Sequence, residues 1–474
     1  MCSNQPCQYG FKAAMSVPPP AEDEVVLFGD GIVCKERYGS QEIKNTYLKQ
    51  RDNTVKVVDD SHNYTSITGF LRAAFLPIGY PESVSDDYIQ YQIWDTVQAF
   101  SGYTISTLAT QAVLKGYGVG DKTATAAGAT ITWILKNITG YLGKIIFTWY
   151  QGTGFDSDCK RWRLVADVLN DMAILLEILA PLNKRYFTAI LCGAELTRNV
   201  CGAAGCATRA AMTLHQARRN NLADVSAKDG SQETCVHLFA LLFGLILIPL
   251  VAGSQTMVWT LFLLFTSLHL FANFKAVRAI MMESMNQARL HILVESFLAF
   301  DGYIMSVRDA NVKEPVLWRA RRKMKIILGT QFRYFLKRVE ELYFYESLYK
   351  SNRYILHIDL KRYKMYIVLH KSAELLDQMK AVFQAITINF AVEVWAKKRS
   401  GMVLYQDEHL EKMIKAAGLG DTTTLLENSV FFTEKTFPKF IDSIVQEGWS
   451  TSVNLMGADE WRAVWEMKDM QSLY

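Results

Sequence analysis

Leu241-Leu242-Phe243-Gly244-Leu245-Ile246-Leu247-Ile248 lies within 41 consecutive residues, between Glu233 and Lys275, that include no Asp, Glu, Lys or Arg. A turn signal, Pro249 followed by Ala252-Gly253-Ser254-Gln255, divides the stretch into two apolar segments, 236–252 and 256–274. As helices rising 1.5 Å per residue these measure roughly 26–28 Å, close to the hydrocarbon thickness of a bilayer. A helix on the surface of a soluble core is apolar along one stripe only, whereas these segments are apolar on every face. The stretch reads as a helical hairpin inserted in a membrane.

Working outward, the chain from Ile67 to about Ala279 is apolar, helical in pattern and rich in small residues. Six candidate spans emerge: 92–114, 123–150, 163–181, 186–212, 235–252 and 256–276. The first four contain Asp95, Lys136, Lys144, Asp167, Asp171, Glu177, Glu195 and Arg198. A charge at a helix centre costs about 2.5–3.5 kcal/mol on insertion scales, so such residues are expected to face a bundle interior or a wet cavity. The runs Thr123–Thr130 and Cys201–Ala207 supply the small side chains that close helix packing in membranes uses. Loop charges follow the positive-inside tendency. The second, fourth and final connections hold Lys160, Arg161 and Arg163, then Arg209, Arg218, Arg219 and Lys228, then Lys275 and Arg278. The opposite connections hold Lys115 and Lys122, then Lys184 and Arg185, then none.

Flanking this region, residues 1–60 form a polar leader, mostly extended, with a short strand pair expected around Val25–Phe28 and Val55–Val58. Pro18-Pro19-Pro20 followed by Glu22, Asp23 and Glu24 is neither a signal peptide nor an Arg-rich transit segment, so insertion would depend on the internal helices. Beyond Met285 charges return and cysteines vanish. Phe332–Leu348 has helical periodicity, Tyr354–Leu360 and Met365–His370 read as strands, Ser372–Lys398 as a long amphipathic helix, and 422–448 as a helix containing Pro438. The expected fold class is mainly α: a polytopic or hairpin-anchored helical membrane domain (61–285) after the leader, then a smaller soluble α+β domain (286–474).

Composition narrows the function. The 474 residues are 50% hydrophobic and 21% charged, with a net charge of +4, and there is no basic arm, aromatic-basic ladder or zinc spacing, which argues against a nucleic-acid partner. All eight cysteines precede residue 236 without a CxxC pair, as expected of reduced packing cysteines in an intracellular protein. Glu233, Cys235 and His237 lack the further pair a metal site needs, and no HExxH or GxSxG motif is present, so neither metal, cofactor nor catalytic residues are expected.

The densest polar motif runs from Thr208 to Thr234, immediately before the apolar hairpin. Arg209, Arg218 and Arg219 can grip a carboxylate or phosphate through paired N–H groups. Asn220, Asn221, Asp224, Lys228 and Asp229 could order a loop or pair those arginines, and His215 reads as a loop histidine able to titrate. Asp229-Gly-Ser-Gln-Glu233 reads as a turn before a helix start, with Ser231 and Thr234 as caps. Three uses are open: a loop that anchors topology, an anion or headgroup site, and catalysis.

Asp158-Cys-Lys-Arg-Trp-Arg163, Ala207-Thr-Arg-Ala-Ala211, the run Gln216–Thr234 and the lead-in Phe75-Leu-Pro-Ile-Gly-Tyr-Pro-Glu-Ser-Val-Ser-Asp-Asp-Tyr88 resemble the Root UVB Sensitive (RUS) family, over about residues 60–300. Lacking a transit segment, the chain is similar to an animal-type member. The resemblance implies membrane association, links to UV-B responses and vitamin B6 homeostasis, action alongside a second family member, and no established catalytic residues. The expectation is an intracellular integral membrane protein that binds or moves a small anionic metabolite, such as a phosphorylated compound. Asp95, Asp167 and Glu195 would line its path, with the lipid bilayer and a homo- or hetero-oligomer of the family as partners. The alternative is a membrane-anchored scaffold.

Overall fold

In a computed structural model the described residues are 32–37, 43–50, 52, 54–59, 67–119, 125–151, 154–251, 253–317, 323–396 and 405–465. The chain divides into two units, Met1–Arg72 and Ala73–Tyr474. In the first, β1 (Ile32–Arg37), β2 (Ile43–Lys49) and β3 (Val55–Asp59) form an antiparallel meander, and α1 (Ile67–Phe75) follows. The expected strand at Val55–Val58 is present as β3; Val25–Phe28 lies outside the described residues.

Six long helices open the second unit: α2 (Tyr88–Gly116), α3 (Ala126–Gln151), α4 (Cys159–Leu179), α5 (Phe187–Gln216), α6 (Leu222–Val251) and α7 (Gln255–Ala279). Each overlaps one of the six spans expected from apolar run length. The α6–α7 turn falls at the Gly253-Ser254 signal, where Ser254 caps α7 by accepting from the Met257 N–H. The turn after Val251 does not make α6 and α7 close neighbours. Instead α2 lies between them, with Gly244 of α6 against Thr107 and Phe265 of α7 against Phe100.

Side-chain pairings fix the helix directions. Gln92 meets Asp229 and Tyr103 meets Glu233, so α2 and α6 run the same way. Trp94 meets Phe271 and Phe100 meets Phe265, so α7 runs opposite to α2. Asp95 with Arg163 and Gln98 with Asp167 make α4 parallel to α2. Glu177 meets Arg198, and Ala166 shares a cluster with Ala204, so α5 opposes α4. Thr132 with Thr188 and Lys136 with Glu195 set α3 parallel to α5. The six helices therefore alternate strictly in direction.

An α/β layer completes the unit: β4 (Met285–Asn286), α8 (Gln287–Ala299), α9 (Val307–Lys313), β5 (Lys325–Leu328), α10 (Val339–Leu348), β6 (Tyr354–Asp359), β7 (Lys364–His370), α11 (Leu375–Ala396), α12 (Glu408–Leu419), α13 (Thr422–Gln446), β8 (Asn454–Leu455) and β9 (Arg462–Ala463). β7 is central, antiparallel to β6 and parallel to both β5 and β9. Here the expected periodicities need two corrections. Phe332–Leu348 is a 3-10 turn followed by α10 rather than one helix. The helix within Ser372–Lys398 is not amphipathic, because every residue of α11 from Ala381 to Ala391 is buried in the main core. Its buried polar side chains bond within the fold: Gln384 donates to Tyr349 Oη and Ser429 Oγ, and Asn389 brackets the Met324 backbone, while Gln384 Oε1 is left without a partner among the described residues.

The layer attaches to one end of the bundle. Lys160 at the start of α4 forms an ion pair with Glu314, Asn286 donates to Ser157 O, and Arg218 after α5 pairs with Glu283. The same end carries Arg161, Arg219, Lys228, Lys275 and Arg278, while the described part of the far end carries Lys115, Lys184 and Arg185. By length and composition α6 and α7 are able to cross a membrane. Their outward residues, including Leu241, Leu242, Leu245, Ile246, Leu263 and Leu264, are at least half exposed. α3 shows the same pattern, with Ile131, Trp133, Ile138, Leu142, Ile145 and Trp149 exposed.

Candidate functional site

The α5–α6 junction is where the polar motif folds. α5 runs through Gln216, a short connection carries Asn220 at φ +53°, and α6 begins at Leu222. The lead-in 76–87 lies against this junction: Ser85 N–H donates to Gln216 O, Arg218 N–H to Ser83 O, and the Asn221 amide to Ser83 O. Asp87 ties it down. Its Oδ2 lies 2.9 Å from His215 Nε2 and accepts from the Met281 N–H at 2.6 Å, while Ser85 Oγ donates to its other oxygen. Burial alone would raise this carboxyl, but the hydrogen bond and charge of His215, with the Met281 and Ser85 donors, hold it down to about 2.

Two expectations for the motif are corrected. His215 sits in the last turn of α5, not in a loop. Asp229–Glu233 is not a turn before a helix but the third turn of α6, and the Thr234 hydroxyl bonds back to Gly230 O instead of capping. Asp229 and Glu233 pair with Arg209 of α5, which is why these carboxylates occur within a helix.

Each arginine of the motif is matched to carboxylates. Arg209 Nε donates to Asp229 Oδ2 at 2.6 Å and its Nη1 to Glu233 Oε2 at 2.5 Å. Arg218 makes two bonds to Glu283, at 3.0 and 2.9 Å, and Arg219 reaches Glu82 at 2.6 Å. Lys228 donates to Ala73 O, and Asp224 accepts from the Ile78 N–H. These residues lock the lead-in to the bundle, so an anion would have to displace a carboxylate to reach an arginine. Asn220 contributes the left-handed backbone of the connection.

Deeper in the bundle, charge concentrates between α2, α4, α6 and α7. Arg163 Nη2 donates to Asp95 Oδ1 at 3.1 Å. Tyr103 Oη donates to Glu233 Oε1 at 2.9 Å, and the Tyr103 ring stacks on His237 with centroids 4.0 Å apart. Gln98 Nε2 donates to Asp167 Oδ2 at 3.0 Å and lies 2.8 Å from His269 Nε2. His269 Nδ1 lies 3.0 Å from Asp171 Oδ2. Gln92, Asp95, Thr96, Asp229, Gln232 and Glu233 line a cavity of about 10 Å³, room for roughly one water. Toward the far end the polar groups give way to a plug of Ile105, Ala109, Ile174, Ile178 and Phe262. Between α2, α4 and α7 the interior is thus polar at the α/β end and apolar toward the far end, while the α3–α4–α5 side keeps the Lys136–Glu195 and Arg198–Glu177 pairs in its far half.

Of the three carboxylates expected to share a path, Asp95 and Asp167 meet in this network. Glu195 does not: it pairs with Lys136 at 3.0 Å between α3 and α5. Gln98 and His269 belong to the network without having been singled out in the sequence. His269 carried a signal, being one of two histidines within 41 residues free of Asp, Glu, Lys and Arg. The larger hollow, about 420 Å³ beside the start of α11, is remote from these charges, and Glu374 in its lining pairs with Arg353.

These features define a class: a bundle of alternating helices with charge inside and apolar side chains outside, joined at one end to an α/β layer. The chain belongs to the Root UVB sensitive family. Residues 61–301 match the vitamin B6 photo-protection and homoeostasis domain and 303–465 the Root UVB sensitive protein C-terminal domain. Protein root UVB sensitive 3 of Arabidopsis thaliana is 32% identical over 460 residues, covering 94% of this chain and 97% of that protein. RUS family member 1 of Dictyostelium discoideum is 40% identical over 271 residues, 56% of this chain and 51% of its own. A further Arabidopsis thaliana relative, protein root UVB sensitive 2, chloroplastic, is 28% identical over 60% of this chain and 65% of its own length. No solved structure matches the chain.

Proposed function

We propose that this chain is an integral protein of an intracellular membrane whose six-helix bundle carries a small charged metabolite. The observation that carries the reading is the inverted distribution of polarity: Asp95, Arg163, Asp167 and Asp229 point inward, while α3, α6 and α7 turn Leu, Ile and Trp outward. Strict alternation of helix direction and the basic residues at the α/β end agree with six crossings and that end in the cytosol. The charged half of the interior is the binding region and the plug around Ile105 and Phe262 the closed gate, an arrangement open to one side at a time.

The domain description names vitamin B6 homoeostasis, which supports vitamin B6 compounds as the solute class. The carboxylates of Asp95, Asp229 and Glu233 outnumber the cations around the small cavity, and Arg209 is already engaged by two of them. This lining favours a solute bearing an amine over a bare phosphate anion. The test is uptake of labelled pyridoxamine and of pyridoxal phosphate into vesicles reconstituted with the full chain. Uptake of the amine that falls at least tenfold in Asp229→Asn, and less in Asp229→Glu, supports the reading. Equal flux in protein-free vesicles overturns it.

A further inference from the structure

Gln98, Asp167, Asp171 and His269 form a chain of contacts buried where α2, α4 and α7 meet; His269 is 1% exposed and none of the other three exceeds 8%. The Gln98 NH2 group offers two N–H bonds. One goes to Asp167 Oδ2 at 3.0 Å and the other points at His269 Nε2, 2.8 Å away. An amide donor facing Nε2 requires that nitrogen to accept, so the imidazole is neutral with its proton on Nδ1, donated to Asp171 at 3.0 Å. The ring has little room to move: a Cβ on Gly102 would already lie 3.1 Å from Nε2.

Adding a proton at Nε2 would set two donors against each other. The Gln98 amide must then invert and present its oxygen to the new N–H, and the same inversion turns that oxygen toward Asp167, which loses its donor. A replacement donor is at hand. Arg163 precedes Asp167 by one helical turn on the same face of α4, and its Nε, buried, has no hydrogen-bond partner while Nη2 holds Asp95. A buried guanidinium N–H without an acceptor is costly, and the released carboxylate would satisfy it.

We propose that Gln98, Asp167, His269 and Asp171 form a proton-binding site in which uptake at His269 passes Asp167 from Gln98 to Arg163. One N–H bond forms, at Nε2, and one O–H bond of a hydronium ion breaks, leaving water; no other covalent bond changes, and the cluster gains the one positive charge. The charged groups facing it are Asp95 from α2, Arg163 and Asp171 from α4, and Arg198 from α5 beside the titratable Cys201; α7 adds His269 itself. Carboxylates thus outnumber guanidinium groups on the two helices that hold the imidazole, an environment into which a proton can be drawn. The site makes the proton the coupling ion of the carrier proposed above and in that respect rests on that reading. Proton binding itself can be measured whether or not solute moves.

The experiment is a titration of the purified full chain in lipid nanodiscs through the histidine range, read by imidazole 15N NMR and by infrared bands of the aspartates. His269→Gln and Asp167→Asn assign the two signals. The expected result is one histidine that changes from the Nδ1–H tautomer to the doubly protonated ring at the same midpoint at which the Asp167 carboxylate band shifts. In Gln98→Leu, and equally in Gln98→Met, the carboxylate no longer follows the ring, and the ring midpoint rises by about one pH unit because protonation no longer breaks the Gln98–Asp167 bond. Different midpoints in the unmodified chain, or a carboxylate shift that persists without the amide, overturn the proposal; the unmodified chain alone decides it if both variants fail to fold.

Discussion

Replacing Glu314 by Gln removes the single carboxylate from a junction that also buries Lys160 and Arg289. All three side chains are at most 5% exposed. Glu314 pairs with Lys160 at 3.0 Å and with Arg289 at 3.3 Å, and accepts from Asn286 at 2.9 Å. Burial alone would raise its carboxyl, yet Arg289 and Lys160, with the Asn286 donor, hold it from 4.5 down to about 2. A depression of about 2.5 units corresponds to roughly 3 kcal/mol favouring the ionised, folded form. Removing one member of a buried ion pair costs about 3–5 kcal/mol on independent grounds, so the two figures agree.

The variant is therefore expected to lose about 3–5 kcal/mol, seen as a fall in Tm of about 5 °C for a unit of this size. Because the carboxyl is depressed in the folded chain, its contribution is complete above about pH 4.5 and is lost as pH falls through about 2, so the gap between parent and variant should close over that interval. Thermal melts of the detergent-solubilised chain at several pH values measure both effects. Adding Lys160→Met to Glu314→Gln should recover at least about 1 kcal/mol, since one stranded cation is then gone. A single variant within about 0.5 kcal/mol of the parent, or strictly additive losses in the pair, would refute the reasoning.

Three further outcomes follow from individual contacts. Asp87→Asn should cost about 2 kcal/mol in melts, by weakening the link between the lead-in, His215 and the exit of α7, with the parent's advantage declining below about pH 4 and lost as pH falls through about 2. Gly329→Ala should cost more than about 2 kcal/mol, because Gly329 has φ +74° and an added Cβ would lie 2.2 Å from the Asp459 carbonyl oxygen; limited proteolysis should then cut near 459. Arg218→Ala, by contrast, should change stability by less than about 1 kcal/mol, its pair with Glu283 being over a third exposed on both sides.

The helices were legible in the sequence because run length and apolar character are local properties: the six spans and the Gly253 turn were found to within a few residues at most ends. Polar residues inside a helix were harder. Asp229 and Glu233 carried the pattern of a turn, and Arg209, Gln92 and Tyr103 from other helices explain their place in α6. α11 read as amphipathic because Gln384, Thr387 and Asn389 suggest a wet face, yet Gln384 and Asn389 find Tyr349, Ser429 and Met324 elsewhere in the fold and Thr387 bonds back to Phe383 O. β5 and β9 were missed for a related reason, being short strands whose pairing with β7 is parallel and non-local. At the candidate site the arginines were visible, but the carboxylates engaging Arg218 and Arg219 lie at least 65 residues away in sequence.

The central claim is that all six helices cross a membrane. It is tested most directly by inserting an accessibility tag after Asn183, between α4 and α5, and separately after Asn220, between α5 and α6, and probing each in sealed vesicles. Alternating helix direction predicts opposite sides, with the Asn220 tag on the side of the α/β layer. Both tags on one side would contradict it, leaving α6 and α7 as the inserted hairpin of a membrane-anchored scaffold.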